Sequence, residues 1–117
     1  MLVEDHAAFR QFLAALLSQE PDLEVVAQAG SLAHARQIID TPLDVAVLDL
    51  SLPDGDGRDL IGDLRRSNAD ISVLVLNVML GSSHHIEEVI KAGADAVLHK
   101  VASPPTIVGE VRRLAGG

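Results

Sequence analysis

Two short apolar runs, residues 45–50 (VAVLDL) and 71–77 (ISVLVLN), constrain the fold more than any other feature of the chain. A run that is apolar at nearly every position, not at alternate ones, suits a strand covered on both faces, and such strands belong to parallel sheets sandwiched between helices. Each run ends in a residue that does not suit a core. Asp49 breaks the first and Asn77 closes the second.

The segments between and around these runs supply the helices. Phe9, Phe12, Leu13, Leu16 and Leu17 follow helical spacing, with Arg10, Gln11 and Gln19 outside the stripe and Pro21 as the stop. Residues 23–29 (LEVVAQA) read as a strand closed by Gly30, and Ser31 caps a helix carrying Ala35, Ile38 and Ile39 that Pro42 ends. Residues 51–57 (SLPDGDG) form a turn-rich loop, followed by a helix over 58–67 on the stripe Leu60, Ile61 and Leu64. A loop at 81–83, a helix at 86–92, a strand at 96–100 (AVLHK) and a helix at 106–115 complete the chain, with Pro104 and Pro105 at the start of the last helix. Strand and helix thus alternate five times. That pattern predicts an α/β fold, a doubly wound five-stranded parallel sheet with right-handed crossovers and helices on both faces. Only Met1, Leu2 and Val3 precede the first acids, so the first strand is short, and whether residues are missing before Met1 stays open.

The 117 residues suffice for one domain, and 48% hydrophobic with 22% charged residues supports a packed core. A net charge of −8 argues against this chain itself gripping nucleic acid or an anionic membrane. The absence of cysteine excludes disulfide scaffolds, thiolate metal sites and cysteine nucleophiles. No apolar run approaches the ~20 residues of a membrane span, and a basic signal-peptide start is lacking. The expectation is a soluble, cytoplasmic domain with no membrane partner.

Ligands of an open parallel sheet bind outside the carboxyl ends of the strands, near the point where strand order reverses. Those ends carry Glu4 and Asp5, Asp49, Asn77 and Lys100, while the second strand offers only Gln28. If the strand order is 2-1-3-4-5, strands one and three are neighbours and three carboxylates from distant parts of the sequence converge, and such crowding needs a cation. Carboxylates with a backbone carbonyl and waters suit Mg²⁺. The implied chemistry is phosphoryl transfer, with Asp49 as the nucleophile and metal and lysine neutralising the phosphoryl oxygens.

These residues resemble the receiver domain of two-component response regulators, which has the flavodoxin-like fold, over the whole chain. Leu2-Val3-Glu4-Asp5-His6 is similar to the strand-one acid-pair motif. Val47-Leu48-Asp49-Leu50-Ser51-Leu52-Pro53 with Gly57 is similar to the phosphoacceptor strand and loop, and Gly93-Ala94-Asp95-Ala96 with Lys100 to the strand-five lysine motif. Residues 20–26 (EPDLEVV) and 100–104 (KVASP) are similar to the NarL/LuxR subfamily, whose receivers precede a helix-turn-helix DNA-binding domain. The resemblance implies that Asp49 accepts a phosphoryl group from a sensor histidine kinase. It implies that Asp5, Asp49 and the Ser51 carbonyl bind Mg²⁺, with Glu4 acting through water, and that Lys100 pairs with the phosphoryl oxygen. It also implies one receiver domain over 1–117, in which Gly116 and Gly117 fit equally the start of a linker to an absent effector domain, through which alone DNA would be contacted, and a natural C-terminus, and it leaves room for a homodimer.

Two positions depart from the family pattern. Asn77 stands where Thr or Ser is usual, and Val97 where Tyr or Phe is usual, so an aromatic rotamer switch cannot operate there. Met79 is apolar beside the expected path of the hydrolytic water, which predicts slow loss of the phosphoryl group. Three functions stay open: a phosphoacceptor signalling module, a phosphorylation-independent pseudo-receiver that binds partners, and a Mg²⁺-dependent phosphatase. The last fares worst, because Ser51 stands where such hydrolases commonly carry a second acid. Asp54, Asp56 and Asp59 read as caps or loop formers, His6, His84, His85 and His99 as solvated side chains, and Asn77 as a strand terminator is a serious alternative. A calcium loop over 49–59 is excluded by its lack of the required glycine and bidentate glutamate.

Overall fold

The computed structural model describes residues 1–77 and 83–116. Its strands are β1 (Leu2–Val3), β2 (Gln28–Ala29), β3 (Val45–Asp49), β4 (Ser51–Leu52), β5 (Gly55–Asp56), β6 (Ser72–Asn77) and β7 (Ala96–His99). Its helices are α1 (Ala7–Ser18), α2 (Leu32–Gln37), α3 (Gly57–Ser67), α4 (Ser83–Lys91) and α5 (Pro104–Gly116).

The five long-range strands pair in parallel in the order β2-β1-β3-β6-β7, the 2-1-3-4-5 order expected. Strand periodicity explains why the apolar runs are continuous. Successive side chains point to opposite faces, and here both faces are cores. Leu2, Val45, Val47, Leu74 and Leu76 pack with Leu13 and Leu17 of α1 and Ile107, Val108 and Val111 of α5. Val3, Ala46, Leu48, Val73 and Val75 pack on the other face with Leu32 and Ala35 of α2, Leu60, Ile61 and Leu64 of α3 and Val89 of α4.

Several local expectations change. Phe12, placed in the apolar stripe of α1 by its spacing, is 47% exposed, because it sits at the edge of an arc centred on Leu13 and Leu17. The second strand shrinks from 23–29 to Gln28–Ala29, since β1 offers it only two partners, Leu2 and Val3. Residues 23–27 keep an alternating exposure without a strand assignment. Helix α2 stops at Gln37, and Ile38 and Ile39 pack against the core from beyond its end. The predicted loop 51–57 contains the small antiparallel hairpin β4–β5, with Ser51 opposite Asp56 and Leu52 opposite Gly55. Met79, with part of the expected loop at 81–83, and Gly117 lie outside the described residues, as do the side chains of His84 and His85.

The turn residues of 51–57 act on specific backbone groups. The Asp54 carboxylate accepts hydrogen bonds from the Leu32 and Ala33 N–H groups at 2.8 and 2.9 Å, so it caps α2 from a distant loop. Those two bonds hold its carboxyl below the ordinary range, the Ala33 bond contributing most. Asp56 caps α3, accepting from Arg58 N–H at 2.9 Å. Gly57 donates its N–H to the Leu50 carbonyl at 2.8 Å, and a Cβ there would lie 2.4 Å from the Asp49 carbonyl oxygen and 2.9 Å from Leu50 Cα. Both neighbours are backbone and cannot swing away.

Gly57→Ala should therefore lower stability in urea denaturation by about 1–3 kcal/mol. Gly109→Ala, in α5 with nothing near the added Cβ, should raise it by about 0.5–1 kcal/mol.

Candidate functional site

Sheet register brings the acids together. Leu2 pairs with Val47 and Val3 with Leu48, so the next residue of each strand sets Glu4 beside Asp49. Glu4 is 3% exposed and Asp49 4%. Asp5 is exposed at the same turn, and one ligand oxygen from each of Glu4, Asp5 and Asp49 lies within 4.8 Å of the others. Asn77 at the end of β6 is 2% exposed, and its carbonyl accepts the Lys100 N–H at 3.1 Å. That backbone link carries Lys100, which follows β7, across the carboxyl ends of the sheet.

The Lys100 Nζ donates to Asp49 Oδ2 at 2.8 Å and to Glu4 Oε1 at 2.9 Å. Asp49 Oδ1 accepts the Ser51 N–H at 3.1 Å, and Glu4 Oε1 accepts the His6 N–H at 3.2 Å. Burial pushes the Glu4 carboxyl above its ordinary value of 4.5; the hydrogen bond from Lys100 opposes that rise and the charge on Asp49 adds to it. Burial also works against the Lys100 charge, but its hydrogen bonds with Asp49 and Glu4 outweigh it and hold the ammonium above the ordinary lysine value. Three carboxylates against one ammonium leave two negative charges, the amount that a single divalent cation neutralises. The donors are all oxygen, the set that suits Mg²⁺ or Ca²⁺ and not the softer transition metals.

Helix α1 holds the acidic turn in shape. His6, expected to be merely solvated, is exposed and caps α1 by accepting the Phe9 N–H on Nδ1 at 3.2 Å. Arg10 reaches back to the Glu4 carbonyl, with Nη1 at 2.6 Å. The Phe9 ring centroid lies 5.2 Å from Lys100 Nζ. None of these three contacts was legible in the sequence, since a cap, a backbone strap and a ring contact leave no periodic signal. Val97 stands apart from the charges. It pairs with Val75 in the sheet and packs, half-buried, against the core on the α2, α3 and α4 face.

The strand order, the acids at the carboxyl ends and the lysine beside them describe a response-regulator receiver, and sequence comparison agrees. The family model for the response regulator receiver domain matches residues 1–112, and the chain belongs to that family. Its relatives are of the NarL/LuxR type. It is 35% identical to the nitrate/nitrite response regulator protein NarP of Escherichia coli, over 100% of this chain and 54% of that protein. It is 34% identical to the DNA-binding transcriptional activator DevR/DosR of Mycobacterium tuberculosis, over 99% of this chain and 54% of that protein. The chain thus spans about half the length of these curated relatives. Among solved structures, the signal receiver domain of the response regulator NarL from Mycobacterium tuberculosis matches with a TM-score of 0.89 and 28% identity, covering 99% of this chain and 94% of that one. No helix among the described residues is long and apolar enough to cross a membrane.

The raised Glu4 value gives the site a stability cost with a definite sign. Folded Glu4 holds more protons than unfolded Glu4 in the window above pH 4.5, so in metal-free buffer this group makes the fold more stable as pH falls through that window. Glu4→Gln should flatten that slope and raise stability near pH 7, measured by urea unfolding in EDTA. Lys100→Met should act in the opposite direction. It leaves two buried carboxylates without their cation, a loss of about 3 kcal/mol that added Mg²⁺ partly restores.

Proposed function

We propose that this receiver is a phosphoacceptor module in which Asp49 takes a phosphoryl group from a sensor histidine kinase and passes the change to a DNA-binding output segment. The observation that carries this reading is the buried Asp49 carboxylate, with one oxygen bonded to Lys100 Nζ at 2.8 Å and the other to the Ser51 N–H at 3.1 Å, beside a second buried acid. A carboxylate needs no base to act as a nucleophile, only a phosphorus held in line and charge compensation for the phosphoryl oxygens.

One Asp49 oxygen attacks phosphorus as the bond to the donor histidine nitrogen breaks. The electron pair of that bond leaves with the imidazole, and the product is an acyl phosphate. Lys100 holds its ammonium at the attacking carboxylate, where the phosphoryl oxygens arrive. The Ser51 N–H keeps the carboxylate from rotating away. Asp5, Asp49 and the Ser51 carbonyl would hold Mg²⁺, with Glu4 behind them, and the all-oxygen set and its two excess negative charges fit that ion. Bound there, Mg²⁺ would supply charge neutralisation for the phosphoryl oxygens.

Output is assigned to DNA through the relatives. One is named as a DNA-binding transcriptional activator and the curated relatives are nearly twice as long as this chain, so the DNA contact would lie outside these residues. The alternative, a phosphorylation-independent interaction module, is favoured by Asn77 and Val97. Val97 is an aliphatic side chain packed in the core, with no ring to change rotamer.

Intact-protein mass spectrometry after incubation with acetyl phosphate and Mg²⁺ tests the reading. Wild type should gain one phosphoryl group, whereas Asp49→Asn, and wild type in EDTA, should gain none. Failure of wild type to gain it from acetyl phosphate and from a phosphorylated kinase would favour the interaction module.

A further inference from the structure

Lys100 is the movable member of the site. Glu4 and Asp49 have short side chains fixed at strand ends, whereas the lysine carries its charge on a flexible four-carbon stem. Its two carboxylate partners hold the ammonium now, but this cannot last through the proposed reaction. Once Asp49 becomes an acyl phosphate, its carboxylate charge is replaced by the charge of the phosphoryl oxygens, and the ammonium must leave its present hydrogen bond to Asp49 Oδ2 for those oxygens while Glu4 stays as a competing anion.

A ring supplies an attraction that does not change when Asp49 is modified. The centroid of Phe9 is 5.2 Å from Lys100 Nζ, inside the ~6 Å range in which an ammonium is attracted to the negative face of an aromatic ring. The Lys100 side chain is only 18% exposed, so water screens this attraction less than it would on an open surface. The ring is also firmly placed. Its own backbone N–H is the one that His6 caps, and the next residue, Arg10, ties the helix to the Glu4 carbonyl. The start of α1, the acidic turn and the ring therefore form one unit. Phe9 is half-buried at the margin of a cluster built from Leu, Val and Ile, and its ring also stacks on Phe12, centroids 6.2 Å apart, which helps hold it in place.

We infer that Phe9 is a positioning residue for Lys100: its ring forms the α1-side wall of the ammonium site and keeps the charge within reach of the phosphoryl group on Asp49. This rests on the phosphoacceptor reading. The ring contact itself exists before any transfer, so the two stand or fall on separate measurements.

The first measurement is the proton chemical shift of the Lys100 ε-methylene in unmodified protein. The chain has two Phe and no Tyr or Trp, so a ring-current shift has few sources. The resonance should lie upfield in wild type and Phe9→Tyr and return toward the ordinary lysine position in Phe9→Leu. The second is the rate of Asp49 phosphorylation by acetyl phosphate and Mg²⁺, followed by intact mass. Phe9→Leu should slow it about threefold to tenfold, and Phe9→Tyr should restore it to within about twofold, with circular dichroism unchanged. An unshifted Lys100 resonance in wild type overturns the ring contact, whatever happens at Asp49. A shifted resonance with equal rates for wild type and Phe9→Leu overturns the positioning role and leaves the phosphoacceptor intact. No phosphoryl uptake by wild type from acetyl phosphate or a phosphorylated kinase removes the phosphoacceptor reading, and the positioning role with it. Should Phe9→Leu fail to fold, the wild-type and Phe9→Tyr shifts still decide whether the contact exists.

Discussion

The structure turns on two buried carboxylates set side by side at the carboxyl ends of β1 and β3 and spanned by a single lysine. Burying like charges together is costly, and much of the surrounding architecture offsets that cost. The Lys100 ammonium bonds to both acids, and main-chain N–H groups of His6 and Ser51 supply further hydrogen bonds. The remaining carboxylate charge makes the cluster of Glu4, Asp5 and Asp49 a candidate site for a metal ion. The charge cost thus falls on the candidate site, in keeping with the trade between stability and function common in functional sites.

Parallel topology makes this arrangement available. Every strand of the five-stranded sheet points its carboxyl end the same way, so residues 4, 49, 77 and 100 meet at one edge although the chain travels through helices between them. The two apolar cores on either side of the sheet fix the strands, and the strands fix the acids. Around that edge, α1 and the β4–β5 hairpin serve as braces. Arg10 and His6 tie α1 to the acidic turn, Asp54 ties the hairpin to α2, and Gly57 lets the chain pass against the Asp49 backbone where any side chain would collide.

Legibility differs by the range of the interaction concerned. The parallel sheet, the placement of acids and lysine at strand ends, and most core residues were readable because burial on both faces leaves continuous apolar runs with abrupt polar ends. Phe12 was misplaced because helical spacing marks a stripe without saying how wide an arc the sheet covers. The length of β2 was misjudged because alternation in residues 23–27 records exposure, while a strand also needs a neighbour to pair with. Asp54 was read as a cap or a loop former, and the helix it caps lies more than twenty residues earlier, a relation that spacing cannot carry. Val97 was read as a missing aromatic, and the fold gives it an ordinary role as a packed strand residue.

The sequence by itself determined the class of fold, the parallel direction of the strands and the identity of the charged groups at their ends, because these follow from hydrophobic periodicity and the few turn residues that interrupt it, whereas the strand order came with the family resemblance. Only the tertiary structure decided which charged group faces which. The pairing of Lys100 with both Glu4 and Asp49, the strap from Arg10, the reach of Asp54 to α2 and the placement of the Phe9 ring beside Lys100 all join residues whose separation along the chain is unrelated to their separation in space. Such contacts depend on how helices dock on the sheet, which is set by the summed packing of two cores and has no local signature in the chain.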